Sequence, residues 1–384
     1  MANTNNNKSL NVPILRFPGF TGEWRQDLME NVTERIGDGI HSTPTYNEYG
    51  DYFFINGNNL VDGKIKIFNN TQKVTKEEAL KQNANVLCDN SLLLSINGTI
   101  GNVAIYNNER IMLGKSACYI NPSAKILRDF LFFYLQNSKI QKYFILELTG
   151  STIKNLSLTS IKNTKLRLPS IQEQAKIAKL LRAIDERIAT QNKIIEDLKK
   201  LKSAISKKLF KSAIGEIVTL REICDIIKGK QINGEYLKDS GKYYVMNGGT
   251  EPSGYYENYN VEANTISISE GGNSCGYVQF NSSPFWSGGH CYTIQNIKDV
   301  VDKGYLYHYL KSNEGSIMKL RIGSGLPNIQ KKDLGDYKVQ IMTMDQQKSI
   351  SACLSLLERK TEIEENLLFA LQYEKQYLLR QMFI

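Results

Sequence analysis

Apolar residues recur at alternating steps of four and three along two long stretches of the chain. The first reads Ile177, Leu181, Ile184, Ile188, Gln191, Ile195, Leu198, Lys202, Ile205 and Leu209. The second reads Ile350, Leu354, Leu357, Thr361, Glu364, Leu368, Leu371, Lys375, Leu378 and Met382. This spacing gathers the positions on one narrow helical stripe and is that of a coiled-coil seam. Each stretch predicts a helix of about 40 residues, roughly 60 Å long. Ser170-x-x-Glu173 and Thr343-x-x-Gln346 stand at equivalent places as capping boxes, and Pro169 precedes the first. Neither helix can leave its seam in water, so the two are expected to pair. Polar residues interrupt both seams at the same place, Gln191 and Glu364. Such residues commonly fix register at a cost in stability. The two are expected to face each other, with Leu198 near Leu357.

The rest of the chain repeats with the helices. Gly150-Ser151-Thr152-Ile153-Lys154-Asn155 lies over Gly323-Ser324-Gly325-Leu326-Pro327-Asn328 at an offset of 173, which holds without a gap from there to Phe210 over Phe383. Cys118-Tyr119 matches Cys291-Tyr292, and Gly101-Asn102-Val103 matches Gly276-Tyr277-Val278. Gly50 to Gly57 matches Gly241 to Gly248 at an offset of 191, so the first copy carries about eighteen extra residues. Apolar pattern is kept far better than identity. Each copy is therefore one globular module followed by one long helix.

Short β-rich runs separated by Gly and Asn are hairpin signals. Leu92–Ile96 and Val103–Tyr106 flank the Gly98–Gly101 turn, and Thr265–Ile268 and Tyr277–Phe280 flank Gly271–Ser274. Small helices at Asp129–Asn137 and Lys303–Ser312 are expected to cover the sheets. The fold class is α+β: two β-rich modules in a pseudo-twofold arrangement, joined by two long antiparallel coiled-coil helices. The expected boundaries are 1–169 and 213–342 for the modules, and 170–212 and 343–384 for the helices.

Length and composition narrow the function. At 384 residues and 41% hydrophobic, the chain can bury a core in each of two or three domains. Its longest aromatic-aliphatic run, Phe130 to Leu135, is far too short to span a bilayer, and the polar N-terminus is not a signal peptide. The six cysteines are scattered without a CxxC, and there are three histidines, which argues against a zinc site and for free thiols in a reducing cytoplasm. The net charge of +9 suits a nucleic-acid partner. Residues 174–211 carry eleven Lys/Arg against four Asp/Glu, and residues 345–384 five against six. A run of this kind is a solvated face or one that lies along DNA or an acidic partner.

Catalytic motifs are not found. Gly114-Lys115-Ser116 resembles the end of a phosphate-binding loop, but Glu109 stands where the first Gly is needed and a strand is expected to follow. Gly323–Asn328 fails the dinucleotide fingerprint at its last Gly. Asn281-Ser282-Ser283-Pro284-Phe285 lacks the middle Pro of an amino-methyltransferase motif. His41, His290 and His308 show no metal spacing, and His308, in an apolar helical run, reads as structural. The chain is read as a non-catalytic binding and scaffolding protein.

A tandem of β-rich module and long helix resembles the DNA specificity subunit of type I restriction-modification systems. The likeness covers nearly the whole chain. It is carried by Arg16-Phe17-Pro18-Gly19-Phe20-Thr21-Gly22-Glu23-Trp24, by Gly37-Asp38-Gly39-Ile40-His41, by the passage Leu168 to Ala178 and by Leu181 to Ile188. The second copy departs from it, with Met342 in place of Pro169 and Glu358 in place of Asp185. The resemblance implies that the modules are target recognition domains, each reading one half of a bipartite, asymmetric site on double-stranded DNA. It implies that the helices set the spacing and dock two methyltransferase subunits. It also implies motor-nuclease restriction subunits as further partners, with S-adenosylmethionine, ATP and Mg²⁺ on partner subunits and no cofactor in this chain. No membrane partner is implied, and the location is cytoplasmic.

Base edges are read by polar side chains on loops and strand ends. In the first module the candidates are His41, Ser42, Thr43, Tyr46, Asn56, Asn97, Thr99, Lys115, Ser151 and Lys154. In the second they are Lys228, Lys230, Gln231, Asn247, Glu270, Asn273, His290, Ser324, Asn328 and Lys331. Each competes with an ordinary structural role; Asn56 and Asn247, both before Gly, also suit turns. The competing function is a coiled-coil adaptor whose modules bind proteins without DNA specificity.

Overall fold

The computed structural model describes residues 11–81, 86–150, 154–211, 214–323 and 325–384. The seam spacing does produce two long helices, Ile171–Lys211 and Met344–Gln381. The chain divides into two compact units, Met1–Thr190 with Leu368–Ile384, and Gln191–Leu367. Both helices run through the boundary, so each unit contains one module and a stretch of each helix.

The two modules share one topology. Each has a four-stranded antiparallel sheet. In the first unit its order is Thr33–Asp38, Ala117–Pro122, Leu92–Ser95, Val103–Ile105. In the second it is Asp225–Lys228, Cys291–Gln295, Thr265–Ser269, Val278–Asn281. Each also has a three-stranded sheet whose middle strand, Tyr52–Ile55 or Tyr243–Met246, has one antiparallel and one parallel neighbour. Each has a two-stranded ribbon closing the module onto its helix, Arg25–Leu28 with Lys165–Leu168 and Glu216–Thr219 with Lys338–Ile341. The first module's extra residues form the Leu60–Val61 and Lys64–Ile65 hairpin and the helix Lys76–Lys81.

The central strands are buried on both faces, which is why they read as continuous apolar runs. The first covering helix is Arg128–Leu135 rather than Asp129–Asn137, because Asn137 caps a further helix, Ser138–Leu146, by accepting from the Lys139 N–H. The second is Lys303–Ser312, as its pattern predicts.

Within the first unit, the start of the first long helix (Ile177, Leu181, Ile184) shares a core with the end of the second (Leu378, Leu379, Met382, Phe383). Within the second unit, Ile350 and Leu354 near the start of the second helix pack with Ile205, Leu209 and Phe210 near the end of the first. In each unit the helices are therefore antiparallel. Ile195, Leu371, Gln191 and Glu364 are buried, and Ile188, Leu198, Leu357 and Leu368 are half-buried. Gln191 Nε2 donates to the Glu364 carbonyl at 3.0 Å and to its carboxylate at 2.5 Å. Lys360, first, and Gln191 together hold that carboxyl below its ordinary range by hydrogen bonding.

The two helix starts differ. Thr343 and Gln346 form a full capping box. At Ser170 only the hydroxyl does its part, accepting from the Glu173 N–H at 3.3 Å. The buried Glu173 carboxylate turns instead to Arg16, which donates to both its oxygens at 2.7 and 2.8 Å. The Arg16–Trp24 segment thus ties down the first helix start, and the capping box expected there is only half made.

His308 is buried in the helix Lys303–Ser312 and bonds Ser355 at 2.9 Å. Burial lowers its pKa from 6.5 to about 4. The unfolded chain therefore takes up a proton that the folded chain refuses. Stability is complete above about pH 6.5 and falls as pH drops from there towards 4, by up to about 3 kcal/mol. Urea unfolding of the wild type and His308→Gln at pH 7 and pH 4.5 should show a smaller acid loss in the variant. An equal loss would contradict this.

Candidate nucleic-acid interface

Matching loops gather at one end of the four-stranded sheet in each module. In the first, these are the segment after Asp38, the end of Tyr52–Ile55, the turn after Ser95, the loop before Ala117 and the stretch around Asn155. Ile40 bridges Gly114, and Asn97 bridges Asn155. In the second, the equivalents follow Lys228, Met246 and Ser269, precede Cys291 and surround Asn328, with Gly271 bridged to Asn328. A glycine makes each crossing possible. A Cβ on Gly39 would run into the Leu113 carbonyl, and one on Gly229 into those of Ser287 and Gly288.

In the first module, Asn56 is half-buried. Its Oδ1 accepts from Ser116 Oγ at 2.8 Å, and Ser116 Oγ accepts from the Gly57 N–H at 2.9 Å. Asn56 also caps a short 3₁₀ turn, so its place before Gly is a turn role as well. Thr99 is exposed and donates to the Gly57 carbonyl at 3.0 Å. Lys115 and Lys154 are exposed beside these groups, and Asn97 is half-buried. His41 is exposed, one residue past the Ile40 bridge, with a ring nitrogen 2.7 Å from Asp38. Ser42 and Thr43 are exposed beyond it. Tyr46 belongs elsewhere: it bridges Val74 on the three-stranded sheet and packs its ring edge on Phe54. Ser151 lies outside the described residues.

The second module draws its candidates closer. Glu270 is buried, and so is not itself open to solvent. Its carboxylate meets Lys228 Nζ at 2.5 Å and His290 Nδ1 at 3.3 Å. Asn247 Oδ1 accepts from the His290 N–H at 3.1 Å. Gly248 beside it has φ +88°, a conformation other residues rarely take, and His290 lies against it. Gln231 sits against Gly289, and the Lys230 carbonyl accepts from Trp286 Nε1 at 2.9 Å. Asn273 is exposed on the turn, Asn328 is half-buried, and exposed Lys331 opens the helix Lys331–Gly335. Burial first, and then the Glu270 charge, push the Tyr292 hydroxyl up to about 12. Ser324 lies outside the described residues.

Two residues of this end escape the candidate set. Ser116 binds Asn56 and Gly57, and Asn155 closes on Asn97. Aligning the copies puts Asn155 over Asn328, so the repeat was the signal for it. At the sequence offset of 173 Ser116 falls over Gly289, so the pattern does not mark it, whereas strand pairing sets it level with His290.

Gly114-Lys115-Ser116 leads into the strand Ala117–Pro122, as the sequence suggests, and not into a helix. Among the described residues, no group of three or more His, Cys, Asp or Glu could hold a metal ion, and no helix is long and apolar enough to cross a membrane.

Two like modules, each presenting polar loops at one sheet end and each followed by a long helix, define a tandem recognition-module protein. The profile of the type I restriction modification DNA specificity domain matches residues 31–200 and again 215–373. The chain therefore belongs to the DNA specificity subunit family of type I restriction-modification systems. It is 26% identical over 378 residues to a Methanocaldococcus jannaschii chain provisionally named the MjaX specificity subunit, covering 89% of this chain and 88% of that one. It is 26% identical over 356 residues to the type I restriction enzyme MjaVIII specificity subunit of the same organism, covering 82% and 81%. Its fold matches the crystal structure of the type I restriction-modification S subunit from M. genitalium with a TM-score of 0.69 and 20% identity, covering 97% of this chain and 99% of that one.

Proposed function

We propose that each module reads one half of a bipartite, asymmetric sequence on double-stranded DNA, through the loops at the end of its four-stranded sheet. The observation that carries this reading is the duplication of that loop end on one topology with different side chains in the two copies. A shared scaffold with different polar groups suits two different short words. The paired helices set the gap between the words and dock two methyltransferase subunits. Their buried polar pair, Gln191 and Glu364, suits a spacer whose register has to be single-valued. Motor-nuclease subunits complete the assembly in the cytoplasm. Adenine methylation with S-adenosylmethionine, and cleavage with ATP and Mg²⁺, fall to those partners, and this chain holds no cofactor.

Binding of a duplex by the chain in complex with its methyltransferase subunits tests the reading. Phosphate neutralisation releases counterions, so affinity should fall steeply and linearly on a log–log plot against salt. A specific duplex should exceed a scrambled one by about 10³-fold or more. Equal affinity for both duplexes would favour a protein-binding adaptor instead.

A further inference from the structure

The cluster around Glu270 has no counterpart in the first module. Strand pairing sets Lys228 opposite Tyr292, and at the equivalent place sets Asp38 opposite Cys118. Glu270 follows Ser269, where the first copy has Ile96 after Ser95. The first module therefore has an acidic residue, Asp38, and an apolar one, Ile96, at the positions where the second has the Lys228–Glu270 ion pair, and its Asp38 turns to His41 instead.

Glu270 is held from several sides. Its N–H donates to the His290 carbonyl at 2.9 Å, and its own carbonyl accepts from the Ile329 N–H at 2.9 Å. Its side chain is only 9% exposed, whereas those of Lys228 and His290 are 51% and 61% exposed. A buried carboxylate is costly unless paired, so it fixes the two outer groups that pair with it. His290 Nδ1 closes one oxygen, and Lys228 Nζ closes the other. Tyr292 lies behind, its hydroxyl donating to the Ile329 carbonyl at 3.1 Å.

An ammonium has three N–H donors and no acceptor. Glu270 takes one, and the others face solvent from a fixed position at the end of the strand Asp225–Lys228. A lysine serving only as a phosphate counter-charge gains nothing from a buried carboxylate, which cancels much of its charge. A lysine serving as a directional donor gains its direction. In the major groove guanine offers two adjacent acceptors, N7 and O6, whereas adenine offers one acceptor beside an amino donor.

We propose that Lys228 reads a guanine in the half-site recognised by the second module, with Glu270 and His290 as positioning residues that aim it. This assignment rests on the reading of that module as a DNA reader.

The test uses the full chain assembled with its methyltransferase subunits. The sites it methylates are compared for wild type, Lys228→Met, Lys228→Arg and Glu270→Gln. Lys228→Met should lose discrimination at one base pair of the second half-site by about tenfold or more, admitting other bases where the wild type requires guanine. Lys228→Arg, which can still donate to both acceptors, should keep the preference. Glu270→Gln should relax the same position part-way, and the first half-site should stay unchanged in every variant, which also reports intact folding. If Lys228→Met instead slows methylation of all sites alike, Lys228 is a phosphate contact and the assignment is wrong. An unchanged preference in Lys228→Met also overturns it, while leaving the two-module reading in place. A wild-type complex that marks no two-part site would overturn the parent reading, and this one with it.

Discussion

Phe383→Ala is expected to destabilise the first unit by about 3–5 kcal/mol, the range for emptying a large aromatic site in a packed core. Phe383 is 2% exposed. Its ring centroid lies 5.4 Å from that of Phe130 and 5.3 Å from that of Tyr134, and Phe130 in turn lies 6.1 Å from Trp24. The Tyr134 hydroxyl accepts from the Arg167 N–H at 2.8 Å, so the cluster is tied to the ribbon beneath it and cannot readily collapse into the gap. The chain has two tryptophans, and Trp24 is the one in this cluster. Urea unfolding followed by fluorescence in a Trp286→Phe background reports this unit. Phe369→Ala, at a ring 70% exposed on the same helix, should change stability by no more than about 0.5 kcal/mol. Equal effects of the two substitutions would contradict the packing described.

Exchange of residues 1–169 for the corresponding module of another family member is expected to replace one half of the recognised site and leave the other half and the gap intact. Each mismatched base pair costs about 1–3 kcal/mol, so two mismatches in the exchanged half reduce recognition of the old word by about 2–6 kcal/mol. Two features favour a clean exchange. The module closes on itself through the Arg25–Leu28 and Lys165–Leu168 ribbon, and its loop end is built from its own segments. The site preference of the methylating complex, before and after exchange, is the measurement. An unchanged first word would show that these loops do not read it.

Much of this was legible in the sequence because helices and repeats declare themselves locally. The 4-3 seam set out both long helices and placed Gln191 opposite Glu364, since a helical period fixes which residues share a face. The hairpins were legible from apolar runs around Gly turns. The Ser170 capping box was misjudged because Glu173 has a partner, Arg16, that lies 157 residues away and carries no local pattern. The loop ends were legible only in outline. Tyr46 leaves them because a bridge to Val74 carries it to another sheet. Glu270 proves buried because a polar residue at a strand end reads the same whether it faces solvent or braces two neighbours. Long-range pairing decides both, and no short motif encodes it.

The proposed reading by two separate modules of two separate words is open to direct test. A genome-wide map of methylated adenines, in a host carrying this chain with its methyltransferase subunits, tests it most directly. Marks are expected on both strands of a two-part sequence, with two different words and an unspecified gap of constant length. A single continuous word, or two words at variable separation, would contradict it.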